Sequence, residues 1–356
     1  MQGMGKLKEV SKAKLVILEK YFPAWVRILG SSFPKLFYID CFAGAGEYEG
    51  GEPGSPIVVF RKASELNTRY QLHLFFVEQD KRRAEILKRR LDQERQRSHS
   101  IVSYRVIAAD AKEFTKRFLR DVPIDTPLFF FVDPYGHPLP IPLINEILAQ
   151  PRREVFLVLM WYALNMHLSN PKVRPNMNEI FGHSNWAAQP FMTMSRRKRE
   201  QDFLNYFTAQ IQSRYVLSFR VLFDPRDRIP GKEHRTKYYL LHFSNHVKAA
   251  LLMKDIMWRL GDEEGTFAYS ATGQQRLFSL WPGEEELKDA LQDTFAGQAI
   301  SFASIIKQTW YWPYLEKHYR KVLKEMESQG IIKIQRRESK RSGLKGKDLV
   351  IFPGSA

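Results

Sequence analysis

Five short apolar runs, most of them closing on a polar or acidic residue, set the organisation of the chain: LFYID (36–40), LHLFFVEQD (72–80), YRVIAAD (104–110), LFFFVDPYG (128–136) and VFLVLMW (155–161). Runs this continuous suit strands buried on both faces. Helix-like segments stand between them: Ser55 to Leu66, Lys81 to Arg97, Ala111 to Arg120 and Leu139 to Ala149. Strand and helix in alternation predict a parallel sheet covered on both sides, with a ligand at the carboxyl ends of its strands. Asp40, Glu78, Asp110 and Asp133 all fall at such ends.

Ahead of the first run, Val10, Leu15, Leu18, Tyr21, Trp25, Ile28 and Leu29 recur near helical spacing, and Pro23 predicts a kink or an end within that stretch. After Trp161 the pattern loosens into an insertion over residues 162–195, then a basic helix from Arg196 to Arg214. YVLSFRVLF and TKYYLLHFS flank a loop rich in Pro, Gly and charge, which predicts an antiparallel hairpin completing the sheet. The fold class is therefore α/β, a Rossmann-like doubly wound sheet with an antiparallel hairpin over residues 1–280. Over residues 284–356, three helices (Glu284 to Phe295, Phe302 to Trp310, Tyr314 to Gln329) and two strands around a basic tip predict a winged helix-turn-helix domain.

Composition narrows the partners. The chain has 356 residues, with 55 Lys and Arg against 39 Asp and Glu, a formal charge of +16 that attracts polyanions; nucleic acid leads. With Cys41 as the single cysteine, no disulfide closes within the chain and no cysteine set exists for zinc or iron–sulfur clusters. No apolar leader or run of about 18 apolar residues is present, so the expectation is a cytoplasmic protein without a membrane span.

The stretch YIDCFAGAGEYEGGEPGSP (38–56) carries the first candidate chemistry. Gly44 and Gly46 let backbone approach a ligand, and Asp40 sets an acceptor at the strand tip. A dinucleotide fingerprint, G-x-G-x-x-G before a helix, is not met, and the two carboxylates of EYE would stand badly beside a pyrophosphate. They suit a ligand bearing a sulfonium and an ammonium, and S-adenosylmethionine is the expected cofactor, held by Asp40, Phe42, Gly44, Gly46, Glu78 and Asp110. Glu78 is placed for the ribose hydroxyls and Asp110 for the adenine amine.

The fourth run supplies Asp133, Pro134, Tyr135 and Gly136. Enzymes that methylate exocyclic base amines carry Asp/Asn-Pro-Pro-aromatic here: the polar side chain and a backbone carbonyl accept from the amine, and the aromatic stacks on the extruded base. Asp133 and the Pro134 carbonyl are the expected acceptors and Tyr135 the stacking ring. Gly136 stands where the aromatic normally does, and Asp-Pro-aromatic-Gly also resembles the tRNA guanine-N2 dimethyltransferases. Cys41 reads as a small buried residue rather than a nucleophile, and His242 with His246 does not make a metal site.

A second constellation is the basic tip QRRESKRSGLKGK, with Arg336, Arg337, Lys340, Arg341, Lys345 and Lys347 expected along a phosphate backbone. Taken together, the chain resembles the three-Cys-motif partner protein family, a bacterial family, through YFPAW, YIDCFAGAGEYEGGEPGSP, FFVEQD, FFFVDPYG and the terminal domain. That resemblance implies a class I methyltransferase-like domain joined to a winged helix and working beside a three-Cys-motif protein that looks like a radical-adenosylmethionine enzyme. Two functions are carried forward: a methyltransferase acting on a base nitrogen, and a non-catalytic nucleic-acid-binding adaptor that recruits the partner enzyme.

Overall fold

A computed structural model describes residues 9–66, 71–96, 103–134, 136, 138–223, 235–261, 268–269, 283–337 and 343–354. The chain divides into two compact units, one formed by the elements up to Leu260 together with a short strand at Ala268–Tyr269, the other by the elements from Glu284 onward.

The first unit alternates strand and helix as the apolar runs demand. Its elements are α1 (Glu9–Gly30), β1 (Lys35–Asp40), α2 (Ser55–Ser64), β2 (Gln71–Glu78), α3 (Lys81–Gln96), β3 (Ser103–Ala108), α4 (Ala111–Asp121), β4 (Leu128–Val132), α5 (Ile141–Leu148) and β5 (Arg153–Leu159). Then come α6 (Trp161–His167), α7 (Arg174–Phe181), α8 (Arg196–Ala209), β6 (Tyr215–Leu222), β7 (Thr236–Ser244), α9 (Val247–Leu260) and β8 (Ala268–Tyr269). Among the described residues these strands form one sheet of order β3-β2-β1-β4-β5-β7-β6-β8. β1 to β5 pair in parallel, and β7 runs against both β5 and β6. This is an α/β Rossmann-like sheet of the methyltransferase type, with the antiparallel hairpin read from the sequence.

Alternation along β4 explains the two cores. Phe129 meets Tyr21 and Trp25 of α1, with ring centroids 5.3 and 5.6 Å away. Phe130 and Val132 face the opposite layer with Ile144 and Ile147 of α5. The insertion is better packed than its sequence pattern implied: Trp186, Phe181 and Phe191 are all buried and join that second core.

Two expectations are corrected. Pro23 neither ends nor divides the first helix; α1 runs unbroken for 22 residues through it. The apolar stripe of Leu18, Tyr21, Phe22, Trp25 and Val26 is almost wholly buried, and that burial outweighs the one backbone bond Pro23 cannot donate. The basic helix α8 stops at Ala209, short of Arg214, because Asn145 of α5 takes the chain over: it donates to the Gln210 carbonyl (3.0 Å) and accepts from the Gln212 N–H (2.8 Å).

The second unit comprises α10 (Glu284–Phe295), β9 (Ala299–Ser301), α11 (Phe302–Gln308), α12 (Glu316–Ser328), β10 (Lys333–Gln335) and β11 (Leu349–Ile351). Its three strands pair antiparallel in the order β10-β11-β9. β9, three residues long, is not visible in the sequence pattern. Gly330, at φ +74°, closes α12: its N–H donates to the Glu327 carbonyl and that of Ile331 to the Met326 carbonyl. No helix among the described residues is long and apolar enough to cross a membrane.

Candidate functional site

The topology gathers the acids where the alternation predicted. Asp40 is the last residue of β1 and Glu78 the last of β2, while Asp110 and Asp133 follow β3 and β4 directly or within two residues. Between the tips of β1 and β2 lies the glycine loop, and each side of it is fixed by a different element. Glu78 accepts the Gly44 N–H through Oε2 and the Asp80 N–H through Oε1, both at 2.9 Å, and the Val77 carbonyl takes the Ala43 N–H. Arg90 of α3 donates to the Ala45 carbonyl (2.6 Å) and pairs with Glu47 (3.0 Å). Gly44 and Gly46 have φ of +62° and +87°. A Cβ on Gly46 would stand 2.8 Å from Leu87 Cδ1, so Gly46→Ala is expected to destabilise the first unit by about 1–3 kcal/mol, read by chemical denaturation.

Asp40 is buried completely. Ser55 Oγ, at the start of α2, donates to its Oδ2 (2.6 Å), and the Phe42 N–H donates to its Oδ1 (3.2 Å). Burial pushes the carboxyl up to about 7, against the pull of those two donors. Phe42 thus contributes its backbone to the site while its ring packs on the core. Asp110 does local work: Oδ1 accepts the N–H groups of Lys112 and Glu113 (2.9 and 3.0 Å) and caps α4.

Asp133 has a partner that the sequence did not disclose. Lys14 of α1 forms an ion pair with its Oδ2, and the two side chains are only 15% and 17% exposed. Burial by itself would lower the Lys14 pKa, but the neighbouring Asp133, Tyr48 and Asp40 outweigh it and hold the ammonium above the ordinary lysine range. Tyr48, from the far end of the glycine loop, joins the same cluster, its phenol pushed up by burial and drawn back by Lys14. A signal for Lys14 was present: positions 14, 18, 21 and 25 lie on one helical stripe, and Leu18, Tyr21 and Trp25 are buried. Pro134 is buried, Gly136 is exposed, and a Cβ on Gly136 would meet nothing within 4 Å. Tyr135 lies outside the described residues.

Cys41 is buried, which pushes its thiol well up and leaves no thiolate to attack a base. His246 accepts the Lys248 N–H and caps α9, whereas His242 is buried against Glu154.

In the second unit the basic tip is fixed at its root. Asp348, buried, accepts the backbone N–H of Arg337 (2.8 Å) and of Lys345 (2.6 Å). Arg337, Lys345 and Lys347 are exposed, while Arg336 is tied to Glu327 at 2.6 Å; Lys340 and Arg341 lie outside the described residues. On α12, Arg320 binds the Leu344 carbonyl and Glu316, and Lys321 pairs with Glu284.

A Rossmann-like methyltransferase-type sheet, with a glycine loop and four acids at the carboxyl ends of its strands, is what the fold and these residues define. Among solved structures, the chain is similar to a SAM-dependent methyltransferase from Agrobacterium tumefaciens, at 11% identity over 63% of this chain and 61% of that one, with a TM-score of 0.33. It is similar to the METTL16 MTase domain at 12% identity over 64% of this chain and 66% of that one (TM-score 0.33). The protein LPL1258 from Legionella pneumophila matches at 12% identity over 65% and 85% of the respective chains (TM-score 0.37). The matched part spans less than two thirds of the first two of these chains. With scores this low, the fold assignment rests on the strand order. No family model and no curated protein matches the chain.

Proposed function

We propose that this protein is an S-adenosylmethionine-dependent methyltransferase acting on a nitrogen of a nucleic-acid base. The observation that carries the reading is the acceptor set at the strand tips: carboxylates of Asp40, Glu78 and Asp133 around a positive-φ glycine loop, with Asp110 beside them. The set suits a ligand with an ammonium, two hydroxyls and an amine. Each Glu78 oxygen accepts one backbone N–H in the bonds described, and a carboxylate oxygen can accept a second hydrogen bond, so room remains for ribose hydroxyls. Asp110 directs both of its capping bonds through Oδ1.

Bound there, the cofactor supplies a sulfonium methyl: the base nitrogen's lone pair forms the N–C bond, the S–C pair returns to sulfur, and the nitrogen then sheds a proton. The chain's part is to place the amine. Asp133 and the Pro134 carbonyl accept its two N–H groups and aim the lone pair along the line of displacement. The Asp133 carboxylate stabilises the positive charge developing on nitrogen and takes the proton. Tyr135 is assigned the stacking role from the sequence alone.

In the second unit, the order helix, strand, helix, helix and two strands supports a winged helix, with Arg337, Lys345 and Lys347 on the wing. The motif resemblance supports a three-Cys-motif protein as working partner. A second reading, the non-catalytic adaptor, is favoured by one observation: Lys14 neutralises the carboxylate that the reaction needs.

Equilibrium dialysis with labelled adenosylmethionine tests the cofactor site. Saturable binding displaced by adenosylhomocysteine is expected; displacement by NAD instead would sink it. Asp40 gives this binding a pH signature. Its carboxyl is protonated below about 7, and a cationic ligand favours the ionised form. Affinity is therefore expected to rise as pH climbs to 7 and level off above, with proton release in calorimetry below 7 that vanishes in Asp40→Asn. The same shift makes the fold itself lose stability from Asp40 as pH rises from the unfolded value of about 4 to about 7. For the wing, Lys345→Ala and Lys347→Ala are each expected to reduce the slope of log affinity against log salt by about 0.9 on duplex DNA, or about 0.7 on single strands.

A further inference from the structure

Lys14 is the group at this site that the proposed chemistry does not use and that obstructs it. An ammonium held on Asp133 in a largely sheltered pair cancels the charge an acceptor amine would need. A methylated nitrogen placed beside that pair would meet no net negative charge. The reaction therefore requires Lys14 to take another partner, and its four-carbon stem and rotatable head permit one.

The surroundings limit the choice. Asp40 is close enough to influence Lys14, but it already accepts from Ser55 and Phe42 and, with its carboxyl pushed up to about 7, is only partly ionised at pH 7. Tyr48, the other neighbour, has its phenol pushed upward and is uncharged at that pH. Of the other cations along this edge, Arg90 is engaged by the Ala45 carbonyl and Glu47, and Lys112 by Glu179. The strand-tip acceptor set is otherwise acidic and matches the ammonium, hydroxyls and amine of the proposed cofactor. Its remaining charged group, the α-carboxylate of the methionine end, has a natural counter-ion in Lys14, which lies among these acids.

We infer that Lys14 binds the cofactor's α-carboxylate and in doing so releases Asp133 for the acceptor amine. The inference rests on the adenosylmethionine reading above. Exchanging one carboxylate for another leaves Lys14 paired throughout, and the released Asp133 regains a partner when the acceptor amine arrives. It also orders the steps: the acceptor base gains its carboxylate partner only after the cofactor is in place.

The test is calorimetry on the full chain with two ligands that differ only in the carboxylate, adenosylmethionine and decarboxylated adenosylmethionine. Wild type is expected to prefer the intact cofactor by about tenfold to a hundredfold, the range of a charge-assisted bond. In Lys14→Met that preference is expected to fall to within about threefold, with affinity for the decarboxylated ligand little changed. Since Lys14→Met leaves Asp133 without its cation, the double variant Lys14→Met with Asp133→Leu, which removes both charges, is measured alongside and is expected to lose the preference equally. A preference that survives in either folded variant overturns the inference while the cofactor reading stands. A wild-type chain that binds neither ligand overturns both.

Discussion

Asp133→Asn is expected to slow methyl transfer by on the order of 10²- to 10⁴-fold while adenosylmethionine binding is kept or tightened. The amide retains one acceptor oxygen, so the base is still recognised. It carries no charge to offset the cation forming on nitrogen and no basic oxygen to take the proton, and its own NH₂ points donors at a donor. Cofactor binding survives because the Asp133 side chain, in this reading, serves the acceptor. Lys14, freed from Oδ2, becomes fully available to the cofactor carboxylate. Single-turnover transfer of labelled methyl, run beside calorimetry, measures both. A variant that transfers at the wild-type rate would remove Asp133 from the chemistry.

Glu154→Ala is expected to lower the stability of the first unit by about 3–5 kcal/mol, the largest stability effect anticipated for a single polar side chain here. Glu154 lies in β5, nearly inaccessible, and accepts from the Tyr21 hydroxyl of α1 and from His242 Nε2 of β7 at 3.0 Å. The Tyr21 and His242 rings also meet edge-on at 5.2 Å. His242 Nδ1 already lacks a partner among the described residues, so losing Glu154 would strand the other ring nitrogen and a phenol as well. Glu154→Gln keeps one acceptor and should lose roughly half as much. Urea denaturation checks both, and a loss under about 1 kcal/mol for Glu154→Ala would show that the network carries little. Because α1 bears Lys14 as well as Tyr21, loosening this anchor should also weaken the hold on Asp133.

How far the sequence reached depends on the range of the interaction concerned. β4 and β5, buried at every position, read as unbroken apolar runs; β1 to β3 are less completely covered, and β3 has no buried residue, yet their apolar content and the acids after them were still legible. The hairpin of β6 and β7 was legible through its turn composition. Pro23 misled because a local rule was applied to a helix held by tertiary burial. β8 and β9, of two and three residues, are too short for any period to register. Lys14 and Asp133 are 119 positions apart, and Arg90 and Ala45 are 45 apart. Only the fold makes them neighbours, and composition cannot tell a solvated lysine from one committed to a carboxylate. The same limit applies to the basic tip, where the run of charges was plain, yet Arg336 is bound to Glu327.

The measurement that bears most directly on the account is transfer of labelled methyl from adenosylmethionine to host DNA and host RNA in parallel, with wild type, Asp40→Asn and Asp133→Asn, repeated with the three-Cys-motif protein present. Label in one pool, lost in Asp133→Asn and, in Asp40→Asn, no longer rising with pH up to about 7, is the predicted result. Absence of label from both pools under every condition, despite saturable cofactor binding, would contradict it and leave a cofactor-holding adaptor.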